Sequence, residues 1–297
     1  MTQLIVTKDT GELLFDTSKI CYGLVKSGYF AYISSWSRRT LISAQLDKNN
    51  GANWTASDEI VTADGSWDPM YGFTLANFKS PIVFITGPGC LTGTITSGSN
   101  ITFIYANTDT STKYYCFDLM ADNIAGSPYL KTYNTSGVIT FNSLQVPLNV
   151  IGALQPPAPS ADVGSGNRGW AYSGGTNRMR QLWLASVNGR QRYPRAECIY
   201  TYALSAGVEY AAYLPWSRSA GLVIGIDISG SNTSSSGVSE GVYGGVGGVT
   251  FQMGSAGGTT FDSQVVQQNG FTWFNVPIDR YPTALYITTA NLPFPFN

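Results

Sequence analysis

Two separate stretches of this chain spell out the same β-hairpin. Leu4–Thr17 reads LIVTKDTGELLFDT and Leu130–Ser143 reads LKTYNTSGVITFNS. In each, a short strand enters a polar turn, the turn closes on a glycine, and a second strand follows. Gly11 matches Gly137, Leu13 matches Ile139, Phe15 matches Phe141, Asp16 matches Asn142, and Thr17 matches Ser143. The glycine supplies the left-handed backbone that a type I turn followed by a bulge requires. The apolar residues two and four positions after it share one strand face and are expected to point inward. The Asp or Asn and the Thr or Ser beyond them can bond local backbone and end the strand. A weaker third copy, VTFQMGSAGGTTFDS at Val249–Ser263, keeps Gly257, Phe261, Asp262 and Ser263 in register.

The rest of the chain reads the same way. Tyr29–Ser35, Ile82–Thr86, Ile101–Ala106, Tyr114–Leu119, Gln181–Val187, Cys198–Ala203, Leu222–Ile228, Phe271–Ile278 and Ala284–Thr288 are short and rich in β-branched and aromatic residues. Such runs, bounded by Gly, Pro, Asn or Ser, are strand signals. No segment holds a 3.6-residue period over three turns, although Asp68–Ala76 and Ala206–Ala212 leave a short helix open. The expected fold is all-β, with two β-sandwich-like domains and repeated β-hairpins. Gln155-Pro156-Pro157-Ala158-Pro159-Ser160 runs into Gly164-Ser165-Gly166-Asn167. Prolines hold such a stretch extended and leave few ladder donors. The expected division is therefore 1–154, a Pro/Gly-rich linker over 155–168, and 169–297. The Gly/Ser-rich stretch 229–248 reads as a mobile loop or hairpin tip. Its run Gly241–Gly248 lacks the Lys-Ser/Thr of a phosphate loop.

Composition limits the chemistry. Charged residues make up 12% of the 297, hydrophobic residues 43% and aromatic residues 13%. The charged share is about half the usual one of roughly 25%. Surfaces of hydroxyls and amides lose little when another protein covers them, because few charges must be desolvated. The chain has no histidine, which excludes Ser–His and Cys–His mechanisms and His-bound zinc. A carboxylate pair stays open. Cys21, Cys90, Cys116 and Cys198 are scattered, with no C-x-x-C pair, and are expected to be reduced and mostly buried. No metal and no cofactor are expected. The net charge of −1 gives no overall pull toward nucleic acid. Met1–Asp9 has no basic region followed by an apolar run, so no signal peptide is expected. No apolar stretch is long enough for a membrane span.

The hairpin pattern also carries a resemblance. A short strand, a polar turn, a glycine, then an apolar strand ending Phe-Asp-Ser and a Pro-Leu-x-Val-type strand is similar to minor tail, tail-tip and baseplate proteins of siphophages. Here it appears as Gly11-Glu12-Leu13-Leu14-Phe15-Asp16-Thr17, and as Gly137 to Ser143 followed by Pro147-Leu148-Asn149-Val150. It covers the hairpins alone. The long Tyr- and Trp-rich stretches between them match no such module, which leaves the place in the particle open. The resemblance implies a non-enzymatic virion subunit, assembled in the host cytoplasm onto other tail or baseplate proteins, as an oligomer or ring-bound copy. Repeated copies let weak contacts add through effective concentration.

Candidate sites stand beside plainer readings. Six of the ten arginines, Arg168, Arg178, Arg180, Arg190, Arg192 and Arg195, fall among Trp170, Tyr172, Trp183 and Tyr193. Arginine and aromatic residues are enriched at protein interfaces; an anionic polymer or a merely solvated face fits the same residues. Trp54, Asp64, Trp67, Asp68 and Tyr71 combine aromatic platforms with hydrogen-bonding groups, as a host surface glycan site would; half-buried tryptophans at a sandwich edge fit equally. Glycoside hydrolysis needs two facing carboxylates, for which Asp64 with Asp68, or Glu197 with Glu209, are the only pairs to name. The leading expectation is a structural tail protein. A receptor-binding, lectin-like tail protein and a carboxylate-dependent glycan depolymerase are the alternatives.

Overall fold

The computed structural model describes residues 5–7, 9–11, 13–16, 19–36, 39–41, 54–56, 68–181, 186–187, 190–191, 195–226, 232–255, 260–264 and 270–297. All regular structure among them is β. The chain opens with β1 (Ile5–Thr7) and β2 (Leu13–Asp16), the first of the two expected hairpins.

β3 (Tyr22–Tyr29) runs through Phe30 into β4 (Ala31–Trp36) and thereby passes from one sheet to another. A small ribbon of β5 (Arg39–Leu41) and β6 (Trp54–Ala56) follows. Then come β7 (Asp68–Ala76), β8 (Ile82–Thr86), β9 (Cys90–Ser97), β10 (Asn100–Ala106) and β11 (Lys113–Leu119). These make a sandwich of β3–β11–β8 against β4–β7–β10–β9. Between the sheets Phe73 stacks on Tyr114 at 3.7 Å and lies 5.2 Å from Phe103, with Phe30 4.5 Å from Tyr105. Asp68–Ala76, where a helix was open, is strand because its alternate residues Phe73 and Leu75 belong to this core.

The β3–β11–β8 layer is buried on both sides. Val25, Tyr114 and Cys116 face the aromatic core, while Leu24, Phe84, Tyr115 and Phe117 face a second cluster. That is why β3, β8 and β11 read as nearly unbroken apolar runs. The second cluster is closed by Val146 and Leu148 and by Leu292, Phe294 and Phe296. Ser27 and Phe296 exchange backbone hydrogen bonds of 2.9 and 3.0 Å, and Asn297 donates to the Val25 carbonyl.

β12 (Lys131–Tyr133) and β13 (Ile139–Asn142) form the second hairpin. It repeats the first residue for residue. Ile5 pairs with Asp16, Val6 with Phe15 and Thr7 with Leu13; Lys131 pairs with Asn142, Thr132 with Phe141 and Tyr133 with Ile139. Both have the register shift before the third pair, and both turn glycines have positive φ, +83° at Gly11 and +75° at Gly137. The strand-ending bonds recur as well: Lys19 N–H to the Asp16 carbonyl, and Gln145 N–H to the Asn142 carbonyl, each 3.0 Å. One expectation is reversed. In the second hairpin Thr140 and Asn142 are the fully buried residues, and Ile139 and Phe141 are only half-buried. Asn142 is drawn in because its amide bonds the Ala121 carbonyl and its Oδ1 accepts from Leu144 N–H.

The remaining strands are β14 (Gly152–Leu154), β15 (Asp162–Gly164), β16 (Asn167–Arg168), β17 (Thr176–Gln181), β18 (Ser186–Val187), β19 (Arg190–Gln191), β20 (Arg195–Ala203) and β21 (Tyr210–Tyr213). β22 (Ser219–Ile226), β23 (Asn232–Gly245), β24 (Gly248–Ser255), β25 (Thr260–Gln264), β26 (Gly270–Phe274) and β27 (Ala284–Thr288) complete them. Their main sheet runs β17–β20–β24–β23–β22–β26–β16–β15. β21, β27 and β14 instead extend the β3–β11–β8 layer through the Ala212–Ile85 bridge.

Two sequence readings are corrected here. The Gly/Ser-rich loop expected over 229–248 is, from residue 232, the long strand β23. Val238, Glu240 and Val242 are buried, and glycines bring backbones close: a Cβ on Gly244 would lie 2.0 Å from the Tyr210 carbonyl oxygen. Among the described residues the two strands of the third hairpin copy do not pair with each other. β24 already has β20 on one side and β23 on the other, so β25 pairs with β23 and β5. The expected linker is docked along the sheet: Pro156 and Pro159 are buried, Tyr202 donates to the Gln155 carbonyl, and β15–β16 lies within it. The stretches on either side share the second core cluster, where Leu24, Phe84 and Phe117 meet Ala211 and Ile287.

Candidate functional site

The β23–β24–β20 pairing sets up two ion pairs on opposite faces of one sheet, each with a fully buried glutamate, although Arg178 of the second pair is partly exposed. Glu240 opposes Met253, which opposes Cys198, so these three share a face. Glu197 precedes Cys198 and therefore points to the other face.

On the first face Glu240 is 0% exposed and accepts three hydrogen bonds. Arg218 donates through Nε to Oε2 and through Nη2 to Oε1, both at 2.8 Å, and the Tyr172 hydroxyl donates to Oε1 at 2.9 Å. Arg218 also donates to the Pro277 carbonyl and lies 4.7 Å over the Tyr281 ring. Burial alone would lower the pKa of Arg218, but the Glu240 carboxylate outweighs it and the guanidinium is held more firmly charged. Burial, reinforced by that carboxylate, pushes the Tyr172 phenol well up. The fork geometry satisfies both carboxylate oxygens, which such a desolvated pair requires.

On the second face Glu197, also fully buried, accepts from Arg178 Nε at 2.6 Å and from Asn107 Nδ2 at 2.5 Å. Asn107 follows β10, so this contact ties the sandwich to the main sheet. Gly254 permits it: a Cβ there would lie 2.4 Å from Asn107 Nδ2.

Glu209 is half-buried between Lys113, at 2.7 Å, and the Thr289 hydroxyl, at 2.6 Å. Burial would raise its pKa, but these two partners outweigh burial and hold it below the ordinary carboxylate value. Its stabilising contribution is therefore present above the unfolded-state pKa and is lost as pH falls through the lowered folded-state one. Glu209→Gln is expected to cost at most about 1 kcal/mol at neutral pH. Melting curves of the two proteins should converge as pH falls through the carboxylate range.

Other acids serve the backbone. Asp118 accepts from the N–H groups of Lys79, Ser80 and Leu119, and Asp162 from those of Gly164 and Gly166. Thus both acids of the Glu197–Glu209 pair are engaged with cations. None of the four cysteines is in a disulfide, and Cys90, Cys116 and Cys198 are buried. Burial pushes the Cys198 thiol up to about 11 and also raises Cys116 and Cys21, which disfavours the nucleophilic thiolate. Among the described residues no three of His, Cys, Asp and Glu converge as a metal site would require. A cavity of about 20 Å³ between Ile85, Tyr105 and Val242 has room for one water.

The arginine–aromatic residues are only partly gathered. Arg168 donates to the Ser160 carbonyl at 2.6 Å, beside the exposed Trp170, whose N–H bonds Ser160 Oγ. Asn177 links this corner to Trp273 and to the Gly169 carbonyl. Arg178 opposes Glu197 and so lies on the face away from Asn177. Arg180, Arg190 and Arg195 sit on β17, β19 and β20, but their side chains lie outside the described set, as do Arg192, Trp183 and Tyr193 altogether. Of the glycan candidates, Tyr71 is half-buried, edge-on to Tyr32 at 6.0 Å. Trp54 and Asp68 are placed only as backbone in β6 and β7, and Asp64 and Trp67 lie outside the described residues.

Sequence reasoning missed Glu240 and Arg218. Their signal was a lone acid in a Gly/Ser-rich stretch and an arginine just before an apolar run. They become neighbours only once β22 and β23 pair, with Glu240 N–H bonded to the Arg218 carbonyl. Comparison with known protein families, with curated proteins and with solved structures returned no match.

Proposed function

We propose that this chain is a non-enzymatic structural protein of a bacteriophage virion, a tail-tip or baseplate subunit that joins neighbouring tail proteins through its β faces. The observation that carries this reading is the duplicated hairpin, alike in sequence, register and bulge. Its sequence pattern carries the resemblance to siphophage tail proteins on which this proposal draws. Around the second copy Tyr129, Leu130, Tyr133 and Val138 are exposed. Apolar groups left in water on a rigid ribbon are what a covering partner would bury. The engagement of Glu197, Glu209 and Glu240 in ion pairs supports a structural rather than a hydrolytic role.

The test is quantitative mass spectrometry of density-purified particles of the phage that encodes the chain. A fixed copy number per particle, retained through high-salt washing, is expected. Absence from washed particles would overturn the proposal.

A further inference from the structure

β9 is an edge strand among the described residues, and the bulge at Thr92, where its register to β10 shifts, leaves Gly93–Ser97 as a regular open edge. Among the described residues it pairs with β10 alone, and Gly93–Ser97 are exposed. The strand Cys90–Ser97, CLTGTITS, has no charge and no proline. Such an edge is a template for another strand.

Its side chains say which strand. Gly93 opposes Ile104 and Ile95 opposes Thr102, so Gly93 and Ile95 share the outer face with Thr74, whose hydroxyl bonds that of Thr102. Ile95 is 57% exposed, and a Cβ on Gly93 would meet nothing within 4 Å. A knob and an open socket thus lie two positions apart on one face. The backbone agrees. Ser97 and Asn100 flank the two-residue turn Gly98-Ser99 as a pair, with Gly98 at φ +59°. Antiparallel ladders alternate, so Ser97, Ile95 and Gly93 direct their N–H and C=O groups to β10, and Thr94 and Thr96 direct theirs outward.

We propose that β9 docks on β9 of a second copy of this chain, antiparallel, about a two-fold axis centred on Thr94. That axis puts Thr94 opposite its own copy as a doubly hydrogen-bonded pair. It seats Ile95 of each copy over Gly93 of the other, and continues the β4–β7–β10–β9 sheet from one copy into the next. A two-fold perpendicular to the sheet keeps outer face with outer face, so the glycine socket and the isoleucine knob complement each other twice. This goes beyond the assembly reading by naming a partner, and it stands on β9 alone.

The experiment uses the purified full chain and is therefore separate from particle membership. Sedimentation across a concentration series is expected to show a reversible monomer–dimer equilibrium. Ile95→Lys should weaken the dimer by about tenfold or more, near 1.4 kcal/mol or above. Thr94→Cys should form a disulfide-linked dimer under mild oxidation. The Cα atoms of such a central pair lie about 5.5 Å apart, inside the roughly 4.4–6.8 Å that a disulfide spans. Thr96→Cys should not cross-link, because it faces Thr92 of the other copy. All three positions are exposed, and near-ultraviolet circular dichroism checks that the fold is kept. A chain that stays monomeric with Thr94→Cys uncross-linked overturns the proposal. So does a dimer indifferent to Ile95→Lys, or one that cross-links through Thr96→Cys instead.

Discussion

Arg218→Met is expected to lower stability by about 3–5 kcal/mol, because it leaves the Glu240 carboxylate buried without its cation. Glu240 and Arg218 are both fully enclosed, and among the described residues the other donor to that carboxylate is the Tyr172 hydroxyl. Urea unfolding should show a lower midpoint with an unchanged slope, the sign of lost stability rather than an altered denatured state. Adding Glu240→Leu should recover much of the loss, since an apolar replacement of a whole buried pair is often near neutral. The Tyr172 hydroxyl would still be stranded at about 1–3 kcal/mol, so Tyr172→Phe in the same background should recover more. A single variant that unfolds no more readily than wild type would mean that the Glu240–Arg218 bonds do little for the fold.

Gly244→Ala is expected to cost about 3 kcal/mol, the upper part of the usual range for overpacking. The new methyl would lie 2.0 Å from the Tyr210 carbonyl oxygen and 2.7 Å from the Ala211 Cα. These are backbone atoms and cannot swing aside as a side-chain tip would. Gly245→Ala, where a Cβ meets nothing, should be nearly silent in the same denaturation assay. Equal behaviour of the two variants would contradict the close crossing of β23 over β21.

Much of the fold was legible where side chains are large. Ile82–Thr86 and Ala284–Thr288 were read to the residue, and Ile101–Ala106 and Tyr114–Leu119 to within one. Bulky β-branched and aromatic runs end sharply at Pro81, Gly87 and Asn107, so their bounds are written locally. β9 and β23 escaped because Gly, Ser and Thr are the residues of turns as well as of crowded strands. Gly241 is not a hinge: it lets β23 approach Gly89 and Cys90. The first two hairpins were read correctly as local objects, since a turn and its register depend on near neighbours. Which face the second one buries was misjudged, because that depends on Ala121 and Met120, well outside the motif. The site residues show the same limit. Glu197 stood out as an acid, but its partner Asn107 lies in another part of the chain and nothing near either residue announces the other.

Residues 289–297 close against β3 across most of the polypeptide. The Ser27 hydroxyl bonds the Pro293 carbonyl, and the Leu24–Phe84–Phe117 face is covered by Leu292, Phe294 and Phe296. During synthesis, the first sandwich leaves the ribosome long before the segment that seals it. Until then a greasy plate with an open strand edge faces water, a hazard known to favour clumping over maturation. Pairings this distant in sequence also form slowly. Yield from an expression host should therefore depend more on temperature and chaperone supply than on the final thermodynamic stability.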